Sequence, residues 1–230
     1  MKIAGLQKLS LVDFPGYLSA VIFVQGCNFW CPYCQNPDLV TSDKDFKFSE
    51  EKVFDFLAHK RGKIEGVVIT GGEPALYDDL PDVIKRIKEM GFRVKLDTNG
   101  SNPDQIENLL YNHLVDYIAL DIKTSLSKYD LVTNIKNISD LVIRSIQWVM
   151  LSTVAYEFRT TCVPGIVDEE DILSIGRDVR GAMKYCLQQF RPNITLDKEF
   201  RKVKPYDLET LRKFQNILSH FVEAVEIRGV

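Results

Sequence analysis

Three of the five cysteines in this 230-residue chain crowd into one short stretch, Cys27-x3-Cys31-x2-Cys34. Three thiolates in one loop can wrap one corner of a cubane iron–sulfur cluster. Such clusters ordinarily take four cysteines, and Cys162 and Cys186 stand alone, far along the chain. One iron would then stay open to a ligand that the protein does not supply. The bland alternative is a structural zinc site completed by a histidine. Zinc sites usually pair two ligand dyads, and His59, His113 and His220 fall within helical patterns or just after one, away from the cysteines. An odd cysteine count so distributed is a poor disulfide framework.

A second group of candidates follows an apolar run at residues 67–70. In Gly71-Gly72-Glu73-Pro74 the paired glycines allow backbone to approach a ligand closely. Pro74 biases Glu73 towards extended geometry. Further on, charged and apolar residues alternate in three segments. Side chains two apart on a strand share a face. Phe92, Val94 and Leu96 therefore oppose Arg93, Lys95 and Asp97, and Ile118, Leu120 and Ile122 oppose Ala119, Asp121 and Lys123. Phe158, Thr160 and Cys162 likewise oppose Glu157, Arg159 and Thr161. With the apolar faces packed under outer helices, Lys95, Asp97, Asp121, Lys123, Glu157 and Arg159 point inward. These cations and anions can pair with one another, as partly buried charges must. Small barrels are usually filled by apolar side chains, so a charged interior predicts a polar ligand at its mouth. Asp97-Thr98-Asn99-Gly100 and Asp121-Ile122-Lys123 would lie at neighbouring C-terminal strand ends, where parallel sheets form their sites.

Holding these residues in place requires strands that alternate with helices. Strand patterns fall at residues 19–24, 67–70, 92–96, 116–122, 155–162, 183–190 and 222–227. Helical patterns fall at 49–61, 80–90, 103–111, 139–150, 169–179 and 208–221, with Ser49 and Asn102 or Ser101 as N-caps and Gly91 as a stop. Six or seven such units are too few for a closed eightfold barrel. The expected fold is α/β, a partial, open TIM-like barrel of about six parallel strands with outer helices. A single domain over residues 1–230 is expected, with a short N-terminal hairpin or plug over about 1–18 that turns at Phe14-Pro15-Gly16.

Composition sets outer bounds. Apolar residues make up 45% and charged residues 27%, a soluble globular balance. A net charge of −3 argues against a nucleic-acid partner, which usually needs a basic face. No run approaches the roughly 18 apolar residues of a membrane span, and the first residues carry no export signal. The expected location is reducing cytoplasm, where clustered cysteines more often bind metal.

Gly26-Cys27-Asn28-Phe29-Trp30-Cys31-Pro32-Tyr33-Cys34-Gln35-Asn36-Pro37-Asp38 resembles the cluster loop of radical S-adenosylmethionine (SAM) enzymes, above all the activating enzymes of glycyl radical proteins. Leu11-Val12-Asp13-Phe14-Pro15-Gly16 and Gln188-Gln189-Phe190-Arg191-Pro192 resemble the longer type of anaerobic ribonucleoside-triphosphate reductase activating protein. The resemblance implies a [4Fe-4S] cluster held by Cys27, Cys31 and Cys34, whose open iron chelates the amino and carboxylate groups of SAM. An electron from the cluster then breaks the sulfonium–C5′ bond and yields a 5′-deoxyadenosyl radical.

It further implies that Tyr33 lies near the adenine and that carbonyls or amides of Gly71, Gly72 and Glu73 meet the SAM ammonium. Asp97, Asn99, Asp121, Lys123 and Arg159 would help hold SAM and, in some members, a monovalent cation. The implied partners are a glycyl radical enzyme and a low-potential electron donor such as flavodoxin or ferredoxin. Two other readings remain open: a radical SAM enzyme acting on a small molecule, such as a 7-carboxy-7-deazaguanine synthase, and a zinc- or cluster-binding module without catalysis.

Overall fold

Runs such as Ser19-Ala20-Val21-Ile22-Phe23-Val24 are β-branched and apolar on both faces, the composition of a strand buried in a parallel sheet. The computed structural model, which describes residues 1–41 and 48–230, pairs these runs in sequence order. Strands β1 (Ile3–Ser10), β2 (Ser19–Val24), β3 (Gly66–Gly71), β4 (Arg93–Thr98), β5 (Tyr117–Asp121), β6 (Ala155–Cys162), β7 (Lys184–Gln189) and β8 (Ala224–Arg228) form one sheet. From β2 to β8 every neighbouring pair is parallel. β1 runs antiparallel to β2, with Ser10 opposite Ser19. β1 and β8 end the strand order, so the barrel is open. It has seven parallel strands where about six were expected, because the 222–227 pattern forms a full member of the sheet.

Helices α1 (Pro37–Thr41), α2 (Glu50–Lys60), α3 (Leu80–Glu89), α4 (Pro103–Tyr111), α5 (Tyr129–Thr133), α6 (Ser139–Leu151), α7 (Glu169–Asp178) and α8 (Leu208–Ser219) lie in the connections. Their ends are set locally. Ser49 accepts from the Lys52 amide, Asn102 from the Gln105 amide, and Asp168 and Asp171 form a reciprocal capping box. Gly91 follows α3 at φ +91°. Val94, Leu96, Ile118, Leu120 and Phe158 join the main core with Ile84 and Ile87 of α3, Ile106 and Leu109 of α4, and Ile146 of α6. The alternation read from the sequence therefore sorts the faces as expected, apolar residues out towards helices and charged ones in. Among the described residues, no helix is long and apolar enough to cross a membrane.

The N-terminal segment is not a separate hairpin ahead of the barrel: β1 pairs with β2, which is itself the first parallel strand. Phe14 in the β1–β2 connection is buried beneath the barrel against Val21, Val68, Tyr117 and Ala119. Its ring meets Tyr17 and Tyr117 edge-on, at centroid distances of 5.0 and 6.1 Å. A side chain at Gly66 would collide with that ring, its Cβ 2.6 Å from Cδ1. The lumen is thus closed by apolar rings at the N-terminal strand ends and open at the other.

Candidate active site at the C-terminal strand ends

The loop after β2 carries the three cysteines, and hydrogen bonds pin it on several sides. The Gly26 amide donates to the Leu39 carbonyl (2.8 Å), the Trp30 amide to Thr133 (3.0 Å) and the Asp197 amide to Pro32 (2.8 Å). Gln35 Nε2 donates to the Arg191 carbonyl (2.9 Å), so the segment after β7 braces the loop from outside. Cys27, Cys31 and Cys34 all line one cavity of about 240 Å³. Burial pushes the Cys27 thiol up to about 12 and the Cys31 thiol up to about 11, against the pull of Lys123 on both. Among the described residues, no three His, Cys, Asp or Glu side chains gather around a point that could hold a single metal ion.

The loop after β3 packs directly on the cysteine loop. Gly71 sits at φ +116°, and a Cβ there would lie 2.5 Å from the Val24 nitrogen. A Cβ at Gly72 would lie 1.9 Å from the Gly26 carbonyl oxygen. Both glycines are therefore required by contact between two pieces of backbone. The Gly72 amide donates to Val24 (2.9 Å) and the Glu73 amide to Gly26 (2.8 Å). This corrects one expectation: these amides are used inside the protein. A ligand ammonium is a donor in any case, so only the loop's carbonyls could receive it.

Glu73 braces the site from within. Its carboxylate accepts the Ala75 amide (2.9 Å), the Thr98 hydroxyl (2.7 Å) and the Asn99 amide (2.5 Å). Burial pushes its pKa up to about 7, while these three groups pull it down. All three donate, which is the environment of a carboxylate. Asn99 then reaches the cysteine loop: its Nδ2 donates to Asn28 Oδ1 (3.0 Å) and approaches Cys27 Sγ (3.8 Å). Tyr33 is buried in the same cavity, its hydroxyl 3.5 Å from the Lys123 carbonyl.

The inward charges divide into two sets. At the mouth, Arg159 bridges two carboxylates, with Nε 2.7 Å from Asp121 Oδ1 and Nη1 3.2 Å from Asp97 Oδ2. Lys95 lies 2.7 Å from Asp97 Oδ1 and Lys123 3.1 Å from Asp121 Oδ2. Burial alone would raise both aspartates. Arg159 and the lysines outweigh it and hold both carboxyls below the ordinary range. Glu157 belongs to the other set, deeper in the lumen, where it accepts from Arg228 (2.9 and 2.8 Å) and Tyr117 (3.1 Å). A metal cation between Asp97 and Asp121 fits this arrangement poorly, since every oxygen of the pair already faces a positively charged donor.

The cavity brings together Cys27, Cys31, Cys34, Tyr33, Gly71, Gly72, Glu73, Asp97, Asn99, Asp121, Lys123 and Arg159, while Lys95 and Glu157, also expected to face inward, lie outside its lining. It also includes Thr161 and Gln188, which were not singled out. Thr161 was legible, since it shares the inward face with Arg159 two residues earlier. Gln188 is reached only because β7 pairs Gln188 with Thr161.

The family profile of the Radical SAM superfamily matches residues 21–174. A protein of Methanocaldococcus jannaschii with the provisional name glycyl-radical enzyme activating enzyme is 36% identical, over 99% of this chain and 96% of its own length. The pyruvate formate-lyase-activating enzyme of Clostridium pasteurianum is 27% identical, over 96% of this chain and 98% of its own. Among solved structures, Streptococcus suis SuiB bound to the precursor peptide SuiA superposes with a TM-score of 0.67 at 16% identity, covering 91% of this chain and 48% of SuiB, a likeness of fold. Matched by that profile over residues 21–174 and by a relative aligned along nearly its whole length, this chain is a member of the radical SAM superfamily.

Proposed function

We propose that this protein is an activating enzyme that installs a glycyl radical in a partner protein, with an anaerobic ribonucleoside-triphosphate reductase as the favoured partner. The observation that carries this reading is end-to-end alignment with two proteins named as activating enzymes, of nearly the same length as this chain. The matched length includes the N-terminal plug and the segment after β7, so the whole chain over 1–230 is read as one functional domain. A low-potential donor such as flavodoxin or ferredoxin would supply the electron, and the cytoplasm is the expected setting.

Within this reading Cys27, Cys31 and Cys34 hold a [4Fe-4S] cluster. The donor set fits: three thiols line one cavity, with no fourth cysteine in the loop. A structural zinc site would need a fourth ligand beside the three thiols, and none of His59, His113 and His220 lines the cavity. When bound, the cluster and SAM supply the one-electron chemistry that yields a 5′-deoxyadenosyl radical. The chain's own residues orient and shield. Carbonyls of the Gly71–Gly72 loop would receive the SAM ammonium, Lys123 and Arg159 would hold its carboxylate, and Tyr33 would pack by the adenine. Glu73 and Asn99 hold the two loops in register. Thiols with raised pKa values must lose protons to bind iron, so loading releases acid.

The test mixes reduced, cluster-loaded protein with SAM and a candidate anaerobic reductase, and reads the glycyl signal by electron paramagnetic resonance. A signal that requires all three components is expected. Silence from candidate reductases, with a small metabolite consumed alongside stoichiometric 5′-deoxyadenosine, would replace this reading with the small-molecule one.

A further inference from the structure

One buried charge at the site has no part in the reading above. Lys95 points inward from β4, and its side chain is only 3% exposed. It does not line the cavity; its ammonium comes to Asp97 from within the barrel, beside the Tyr117 ring at 5.8 Å. We propose that the Lys95 ammonium, together with the Arg159 guanidinium, is a built-in monovalent cation for the Asp97–Asp121 pair, so that the chain binds SAM without a free metal cation. The inference rests on reading the cavity as the SAM site.

The argument is one of charge and space. Asp97 Oδ1 faces Lys95, Asp97 Oδ2 and Asp121 Oδ1 face Arg159, and Asp121 Oδ2 faces Lys123. The cluster of five therefore holds three positive and two negative groups. A sixth charge from a ligand carboxylate brings the sum to zero. A monovalent metal ion beside that carboxylate would return the sum to one positive charge, in a site where Arg159 and Asp97 are largely shielded from water. A lysine ammonium is close to a potassium ion in size and carries the same charge. Fixed to β4 two residues before Asp97, it needs no binding equilibrium of its own. Resident charge of this kind also prepares the two carboxylates before SAM arrives, which removes a cost of ordering the site.

The experiment titrates SAM against the cluster-loaded protein in tetramethylammonium, sodium and potassium chlorides at equal ionic strength. The wild type should bind within about twofold in all three. Lys95→Ala opens room beside Asp97, and should bind about tenfold or more weakly in tetramethylammonium and recover severalfold in potassium. Lys95→Met fills the space without charge and should stay weak in every salt. A second arm needs neither SAM nor cluster: potassium should raise the thermal midpoint of unloaded Lys95→Ala and leave the wild type unmoved, since a bound ion stabilises the folded state. Wild-type affinity that collapses when sodium and potassium are withheld would overturn the proposal. So would a Lys95→Ala protein whose affinity and midpoint ignore potassium. A wild type that binds no SAM in any salt would sink the site reading, while the thermal arm still decides about the cation.

Discussion

The Glu73 carboxylate accepts the Asn99 backbone amide at 2.5 Å, tying the loop after β3 to the loop after β4. Each of those loops also touches the cysteine loop, Glu73 through its amide on the Gly26 carbonyl and Asn99 through its side chain on Asn28. Three loops from adjacent strands thus form a closed ring of contacts. Displacement of any one disturbs the other two, and the site behaves as a unit.

Glu73→Ala would strand three buried donors, the Ala75 and Asn99 amides and the Thr98 hydroxyl. Unsatisfied buried donors are costly, and the expected loss is about 2–4 kcal/mol of unfolding free energy. Urea denaturation measures it, and SAM affinity should fall with it. Glu73→Gln keeps an acceptor on one side and should lose less. Equal stability of the alanine variant and the parent would show that water replaces the carboxylate.

Gly72→Ala places a methyl group 1.9 Å from the Gly26 carbonyl oxygen, where backbone must move. The glycine loop and the cysteine loop should separate, so the variant should retain little iron and sulfide after reconstitution. A variant with full cluster content and an unshifted SAM titration would show that the loops can part without consequence.

Cys31→Ala should reduce cluster iron and sulfide to background, because three ligands leave none to spare. Cys162→Ala should leave cluster content intact. Cys162 is fully buried on the outward face of β6 among core side chains, and its cost should appear as lost stability instead. Cluster content near the parental level in Cys31→Ala would point to another ligand.

Acid stability should depend on Asp97 and Asp121. Both folded pKa values lie below the ordinary carboxylate range, because Arg159 and the lysines outweigh the effect of burial. The folded state therefore binds these protons less readily than the unfolded chain. Their contribution is complete above the unfolded pKa of about 4 and is lost as pH falls below it. Denaturation curves of the unloaded protein across pH 2–6 (about the range in which carboxylates titrate) should show stability falling steeply at the acid end. Asp121→Asn should flatten that fall, and parallel curves for parent and variant would refute the assignment.

The strands, most helices and the inward charges of this protein could be read from the sequence, because each rests on a local period. Alternation alone placed Lys95, Asp97, Asp121, Lys123, Glu157 and Arg159 inside the barrel, and the caps at Ser49, Asn102 and Gly91 bounded helices within a residue or two. The short helices α1 and α5 leave no mark in the sequence, since five residues are too few to display a helical period. β1 is not legible as a strand, for Ile3–Ser10 has no clean alternation and gains its place by pairing with β2. Tertiary structure alone decided which charges meet. That Arg159 bridges Asp97 and Asp121 while Glu157 turns to Arg228, 71 residues away, depends on strand register, which no single strand encodes. The reason for the glycines was likewise hidden. Gly72 is small because Gly26 lies against it, and that approach exists only once two loops from neighbouring strands are folded together.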